Sequence, residues 1–590
     1  MSPPGGNVDR PWCAKYPPFV PHDLEIPDIS LPELLERSVL QWGERDAIIF
    51  YGKRTTYREL WEGSGRIAAG FRRHGLQQGD RVALYLPNCP AYPLAFFGAL
   101  RAGLSVVQVS PLYIGQDLVR LLRLVRPEAV VTLEVHHPQL AAVASEVGVP
   151  REFVARLKDF YPAPRRWFVN LYLRRGGHST AFPTGPAVRP FRDLLRPGTP
   201  PKVTTEPASD VAVFQYTGGT TGTPKAAMLT HRNLVANALQ CRAWFGIQPP
   251  GTGSALVAIP LFHIYALTVG MNYPLSEGAT MILQIRPDVE ELLRLIDRYH
   301  PTEFPGVPAL YQAINVNPRT PKFDVRSVKV CVSGSAPLPV EVARRFEQLT
   351  GGYLVEGYGL TEASPVTHAN PIRGEVRLGS IGLPLPLTEQ KVVDLETGSR
   401  ELGVGEDGEL CVRGPQVMAG YYRETEETRE VLRDGWLHTG DIGHLDADGY
   451  AYIIDRKKDM IDVGGLKVYP REVEEVLYQH PAVREAAVAG VPDPVLGEVI
   501  HAFVVKEPGR PVSESELIDF VRARIAHYKA PRVVEFREKL PRSPIQKVLR
   551  RALREDPGSV PAPSSPTLPP PEVDRSSSFD GPTSTGGRAR

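Results

Sequence analysis

The stretch Gln215-Tyr-Thr-Gly-Gly-Thr-Thr-Gly-Thr-Pro-Lys225 decides how the rest of the chain is read. Val211, Ala212, Val213 and Phe214 precede it, a short apolar run that predicts a buried strand ending at a loop. Gly218, Gly219 and Gly222 open backbone conformations closed to other residues and let amides approach a ligand closely. Thr217, Thr220, Thr221 and Thr223 add hydroxyls, and Lys225 adds a positive charge on a long arm. Converging N–H groups, hydroxyls and a lysine suit a polyanion. The loop is not a Walker A motif, in which glycine and lysine adjoin, because Thr223 and Pro224 separate Gly222 from Lys225. A plain Gly/Thr turn explains the glycines but not the hydroxyls and lysine together, so the phosphate reading leads.

The totals frame this loop. A chain of 590 residues exceeds the usual single-domain range and predicts at least two domains. Hydrophobic content of 42% and charged content of 23% are those of a globular enzyme. A formal net charge of +1 gives no reason to expect nucleic acid as a partner. The cysteines, Cys13, Cys89, Cys241, Cys331 and Cys411, are scattered without a C-x-x-C pair, which argues against a zinc site or disulfide framework. No apolar run reaches the roughly 18 residues of a membrane span, and the start lacks a signal-peptide core. These features predict a cytoplasmic enzyme.

Residues 1–30 are proline-rich and read as an extended leader draped over a domain without regular structure of its own. From 31 onward, helix and strand patterns alternate: an amphipathic helix at 31–42, strands at 46–51 and 54–57, a helix at 57–74 and a strand at 81–86. A helix at 91–102 and a buried strand at 105–110 continue the α/β rhythm. Residues 151–205 break it, with Arg165, Arg166, Arg174 and Arg175 bracketing Trp167, Phe168, Leu171, Tyr172 and Leu173. Such a segment suits an anionic membrane surface. The favoured reading is an ordinary surface insertion, because its prolines would interrupt a long amphipathic helix. From Lys391 short strands and turns predict a small β-rich subdomain. Residues 455–555 read as a compact α+β unit, and 556–590, rich in proline, serine and glycine, as a disordered tail.

The loop, followed by Met228-Leu-Thr-His-Arg-Asn233, resembles the signature of the acyl-adenylate-forming superfamily, and most closely its fatty-acyl-CoA synthetase branch. Ala226 stands where the family usually has glycine. Further motifs follow in the family's order. Ala258-Ile-Pro-Leu-Phe-His263 implies a gate at His263 between acyl pocket and thiol route; a structural histidine at the end of an apolar strand competes with that role. Leu267, Gly270 and Gly306 fall where the resemblance puts the acyl pocket, and Leu267 occupies the place of a gating tryptophan found in one long-chain type. Ser333-Gly-Ser-Ala-Pro337 (Ser333, Gly334, Ser335, Ala336, Pro337) implies the adenine wall, although alone it reads as an ordinary turn.

Glu356-Gly-Tyr-Gly-Leu-Thr-Glu362 is more specific. By resemblance Gly357, Tyr358 and Gly359 meet adenine, Thr361 meets phosphate, and Glu362 holds Mg²⁺. Asp441 matches the ribose-binding aspartate, Arg456 an arginine on ribose or phosphate, and Lys458 the pivot of the smaller domain. Gly464 and Gly465 match the loop presented when the thiol reacts, and Lys547 the adenylation lysine, preceded by Gln546 where the family has glycine.

The resemblance implies an α/β fold: a large N-terminal domain of layered α/β sheets with a small β-rich subdomain (31–454), and a mobile, smaller α+β C-terminal domain (455–555). It implies an ATP- and Mg²⁺-dependent ligase that converts a carboxylic acid, with medium or long fatty acids favoured, to acyl-AMP and then to a coenzyme A thioester. Lys547, Thr217, Glu362 and His263 would carry the chemistry. Aromatic, alicyclic or dicarboxylic acids, a loader of a carrier protein, and a non-catalytic nucleotide or acyl sensor stay open as alternatives. So do a homodimer and a peripheral membrane contact through 151–205.

Overall fold

The computed structural model describes residues 10–175, 181–217, 224–464, 466–493, 496–542 and 548–555. The apolar run before the decisive loop is the strand Val211–Thr217. It lies third in an eight-stranded sheet ordered Gly420–Tyr421, Lys225–Thr230, Val211–Thr217, Ser105–Gln108, Arg81–Tyr85, Ala129–Leu133, Glu152–Ala155, Val188–Pro190. The strands from Val211–Thr217 to Val188–Pro190 run parallel, which requires the crossover helices Ala91–Arg101, Gly115–Val125 and His137–Val147. Strands covered on both faces need continuous apolar runs, and Ala129–Leu133 is buried along its whole length.

Two four-stranded sheets stand beside this one. One orders Ser254–Val257, Thr280–Leu283, Asp46–Phe50 and Lys53–Thr56; the other orders Val330–Ser333, Tyr353–Gly359, Val366–Ala369 and Leu383–Pro384. Glu303 bridges both, pairing with Ala255 on one side and Val330 on the other. A five-stranded sheet built from Glu389–Val393, Gly408–Arg413, Leu432–Arg433, Trp436–Leu445 and Ala451–Arg456 is the β-rich part expected after Lys391. Residues 461–536 form a last five-stranded sheet with its own apolar core, in which Val473, Leu477, Val488, Val504, Leu517 and Val521 are buried.

Two expectations change. The leader is tied down: Pro11–Lys15 forms a 3₁₀ turn, Trp12 is buried, and the Tyr16 hydroxyl donates to Pro384 O at 2.6 Å. The segment 151–205 does not simply interrupt the rhythm, because Glu152–Ala155 and Val188–Pro190 are parallel strands of the main sheet. Its prolines do not prevent a helix over Ala163–Arg175 either, since Pro164 falls in the first turn, where no intrahelical N–H is needed. Val169 and Leu173 of this helix are buried, whereas Trp167 is 66% and Phe168 62% exposed. The tail 556–590 lies outside the described residues.

A buried acid pair sits at the junction of the two four-stranded sheets. The Tyr273 hydroxyl donates to Glu303 Oε1 at 3.0 Å. Burial pushes the Glu277 carboxyl up to about 7. Burial, followed by the neighbouring Glu277, pushes Glu303 well above its usual range. A carboxyl whose folded pKa is raised costs nothing below its unfolded value near 4.5, and its penalty grows as pH rises towards the folded value. Glu277→Gln is therefore expected to melt progressively higher than the wild-type chain as pH is raised from 5 to 8. A melting difference between the two proteins that stays constant with pH would contradict the raised Glu277 carboxyl.

Candidate active site

Thr217 and Lys225 pair across the antiparallel strands Val211–Thr217 and Lys225–Thr230, which places the two ends of the 217–225 mouth side by side at the end of the sheet. Gly218, Gly219, Thr220, Thr221 and Gly222 fall outside the described residues. Lys225 is held rather than loose: its Nζ lies 3.8 Å from Glu427 Oε1 and 5.4 Å from the Tyr421 ring centre. The Tyr421 hydroxyl donates to Glu362 Oε1 at 2.7 Å. One chain of contacts thus joins the phosphate-type loop to the acid expected to hold metal. Tyr421 reaches it because the two-residue strand Gly420–Tyr421 pairs beside Lys225–Thr230.

Glu362 sits in the short turn Thr361–Ala363, directly after the strand Tyr353–Gly359. Gly359 is forced by space, since a Cβ there would lie 2.0 Å from Pro365 O. Gly359→Ala must displace backbone beside Glu362 and is expected to lower stability by about 1–3 kcal/mol, read as a lower urea midpoint at unchanged slope. An unshifted midpoint would mean that the turn relaxes freely.

The Tyr358 hydroxyl donates to Asp441 Oδ2, and burial followed by that carboxylate drives the phenol far above its usual range. Arg456 Nε lies 3.0 Å from Asp441 Oδ1, the two residues being directly paired across Trp436–Leu445 and Ala451–Arg456. Asp441 raises the already high Arg456 pKa, which keeps the guanidinium charged. Burial followed by Arg456 lowers Lys458, while Asp459, Asp441 and Glu362 act in the opposite direction. Glu409 braces this corner: its Oε1 accepts from Gly440 N at 3.0 Å and its Oε2 from Lys457 Nζ at 3.2 Å.

The turn Ser333–Pro337 begins at the buried end of Val330–Ser333, with Ala336 and Pro337 exposed. Ser335 takes a left-handed backbone, φ 70°. Gly334 N donates to Gly306 O at 3.1 Å, and Gly306 and Ser333 form a parallel bridge. Tyr265 packs beneath: its hydroxyl donates to Val332 O at 2.6 Å, and a Cβ at Gly334 would lie 3.1 Å from its ring. His263 accepts at Nδ1 from Tyr265 N at 3.2 Å, and Gln215 Nε2 donates to Phe262 O at 3.2 Å, which ties the His263 segment to the strand before the mouth. Leu267 and Gly270 are buried in the π-helical segment Ala266–Asn272, a turn type often found at functional sites.

Gly464, with φ 61°, donates its N–H to Leu496 O at 2.8 Å within the C-terminal sheet unit. Gly465, Gln546 and Lys547 lie outside the described residues.

The AMP-binding enzyme family matches residues 35–422, and the C-terminal domain of AMP-binding enzymes matches residues 472–547. The chain belongs to the AMP-binding enzyme family. Among its relatives, a long-chain-fatty-acid–CoA ligase of Bacillus subtilis is 44% identical over 553 residues, covering 93% of this chain and 98% of that protein. A long-chain-fatty-acid–CoA ligase of Salmonella typhimurium is 40% identical over 562 residues, covering 93% and 98%. Among solved structures, ATP-bound MatB from Rhodopseudomonas palustris superposes with TM-score 0.75 at 31% identity, covering 89% of this chain and 99% of that one. The expected acyl-adenylate-forming membership and the α/β fold with a large N-terminal and a small C-terminal domain are borne out.

Within this AMP-binding enzyme, the donor set fits magnesium. Among the described residues no cluster of three or more His, Cys, Asp or Glu side chains exists that would cage a metal. A single carboxylate such as Glu362 matches an ion that binds through one or two carboxylates and completes its shell with water and substrate phosphates. Sequence reasoning missed Tyr421, Glu427, Glu409 and Tyr265. Tyr421 lies in a strand too short to show periodicity, and its partner Glu362 is far away in the chain.

Proposed function

We infer that the chain is an ATP-dependent fatty-acid–CoA ligase that forms an acyl-adenylate and then an acyl-CoA. The observation that carries this reading is that the Lys225, Tyr421 and Glu362 contacts adjoin the Tyr358, Asp441 and Arg456 group, whose Arg456 feels the charge of Glu362. The ligase relatives, matched over nearly their whole length, support the substrate class.

A carboxylate is a poor acyl donor. Its oxygen attacks the α-phosphorus of ATP, the bond to the β-phosphate oxygen breaks, and pyrophosphate leaves. The thiolate of coenzyme A then attacks the acyl carbon of the mixed anhydride and AMP departs. The first step asks for alignment and charge neutralisation more than for a base. Lys225 and the 217–225 mouth hold the departing phosphates, Asp441 accepts the ribose hydroxyls, and Tyr358 lies against the base. Glu362 would hold Mg²⁺, which would supply charge neutralisation on the triphosphate. Lys547 bridges the carboxylate and the α-phosphate as charge redistributes. Leu267, Gly270 and Gly306 line the acyl pocket, and His263 and Gly464 border the thiol route. The exposed Trp167 and Phe168 among Arg165, Arg166, Arg174 and Arg175 support a peripheral contact with an anionic membrane.

The test is to mix the protein with Mg-ATP, coenzyme A and a panel of fatty, aromatic and dicarboxylic acids, following AMP and thioester by mass spectrometry. Thioesters from fatty acids over a narrow chain-length range are expected. Thioesters from aromatic or dicarboxylic acids alone would overturn the substrate class, and acyl-AMP without thioester would overturn the acceptor.

A further inference from the structure

The end of the eight-stranded sheet away from the 217–225 mouth holds a cleft of about 320 Å³ lined by Arg73, His74, Gly75, Arg151, Phe153 and Arg189, with Pro186 and Ala187. Arg151 immediately precedes the strand Glu152–Ala155, whereas the mouth follows Val211–Thr217; the strands are parallel, so the two sites occupy opposite ends of one sheet.

None of the residues lining the cleft is acidic. Among the described residues, Arg73, at the end of the helix Tyr57–Arg73, donates to the backbone carbonyls of Asp193, Arg196 and Pro197 at 3.3–3.5 Å. Asp193, the nearby carboxylate, is taken by Arg196 at 2.9 Å. Arg151 and Arg189 are half-buried. Gly75, with φ 84°, leaves room for Arg151, since a Cβ there would lie 3.2 Å from its guanidinium. The His74 ring meets the Phe153 ring edge-on, centroids 5.2 Å apart. Burial, then Arg189, Arg73 and Arg196, lower the His74 pKa against the opposing pull of Asp193. Among the described residues, three cations and a suppressed fourth thus surround space with no acidic side chain in the lining.

We propose that this cleft is a second anion-binding site, separate from the adenylate site, for a phosphomonoester dianion. Guanidinium forks match phosphate oxygens two at a time. The volume exceeds what a bare phosphate fills, and the Phe153 ring gives an apolar floor for a carbon substituent. A bound dianion supplies the charge that His74 lacks, so His74 takes up a proton and becomes a further donor.

The experiment is histidine-selective ¹³C NMR of the full chain titrated with glycerol phosphate, the His74 signal being assigned with His74→Asn. Glycerol phosphate is expected to move the His74 resonances and raise their titration midpoint by at least about half a pH unit. In R151Q/R189Q the affinity falls at least about tenfold while CoA-ligase turnover persists, and R189K, which keeps charge but not the fork, lies between. Unmoved His74 resonances at about 10 mM glycerol phosphate, or identical titrations of wild-type and R151Q/R189Q proteins, would overturn the proposal. The first readout uses wild-type protein and does not depend on either variant folding. Vesicles of phosphatidylcholine with and without phosphatidic acid separate the sources. Sedimentation specific to phosphatidic acid that R151Q/R189Q loses assigns the phosphate to a lipid headgroup. Sedimentation equal in both proteins, with an arginine-dependent soluble titration, assigns it to a soluble phosphomonoester.

Discussion

Asp441→Asn is expected to reduce adenylation by about two to three orders of magnitude, the kinetic equivalent of removing one partner from a buried charge pair. The Asp441 side chain is 4% exposed and faces Arg456 Nε at 3.0 Å and the Tyr358 hydroxyl. Asparagine preserves the shape but exchanges one acceptor oxygen for an N–H₂ donor, which either opposes the Arg456 guanidinium or forces the Tyr358 hydroxyl to turn from donor to acceptor. Arg456, 37% exposed, then loses its counter-charge yet stays protonated, and water screens part of the cost. Two effects follow. The ribose hydroxyls lose a charged acceptor, which raises the KM for ATP, and Arg456 swings away from its paired position across the strands. Rapid-quench measurement of acyl-AMP formation separates binding from chemistry. An adenylation rate and ATP KM close to wild type would remove Asp441 from the nucleotide site and leave it as a brace between Tyr358 and Arg456.

Lys547→Ala is expected to have a comparable effect on one half-reaction only. Acyl-AMP formation falls by about two to three orders of magnitude, as when a preorganised charge stabiliser is removed. Thioester formation from supplied acyl-AMP and coenzyme A persists, because by then the α-phosphate needs no new bond. Although Lys547 itself lies outside the described residues, the chain just beyond it is anchored. Arg550 lies 2.8 Å from Glu474, 3.4 Å from Asp459 and 3.8 Å from Asp455. Asp455 and Asp459 flank the Arg456–Lys458 segment, so Arg550, three residues beyond Lys547, is fastened to the segment about which the smaller domain is proposed to turn. Single-turnover assays of each step decide the matter. Equal loss of both steps would refute separate roles for Lys547 and the Gly464 loop, and no loss of either would turn attention to Lys458.

The lower-order structure was legible because its signals are local. The helix Leu31–Trp42 announces itself through Leu34, Leu35 and Val39, and Ser30 with Glu33 closes it in a capping box. The strand before the loop is a run of apolar residues stopped by glycines, and the C-terminal unit shows a Ser513 cap and the apolar face of Leu517 and Val521. The strands Glu152–Ala155 and Val188–Pro190 were not legible. Strands of three or four residues are too short for a period to emerge, and only pairing with Ala129–Leu133 makes them strands.

The sequence by itself determined the family, the order of its motifs and the identity of the chemical groups, because these reside in residue type and spacing along the chain. It named Lys225, Glu362, Tyr358, Asp441 and Arg456 without any distance between them. Only the tertiary structure decided which of them meet. It placed Tyr421 between Lys225 and Glu362, set Asp441 opposite Arg456, held Lys225 beside Glu427, and left three arginines around a cleft at the other end of the sheet. The physical reason is that hydrogen bonds and ion pairs act over a few ångströms, whereas these partners are brought together by strand register and sheet order, which depend on the whole core.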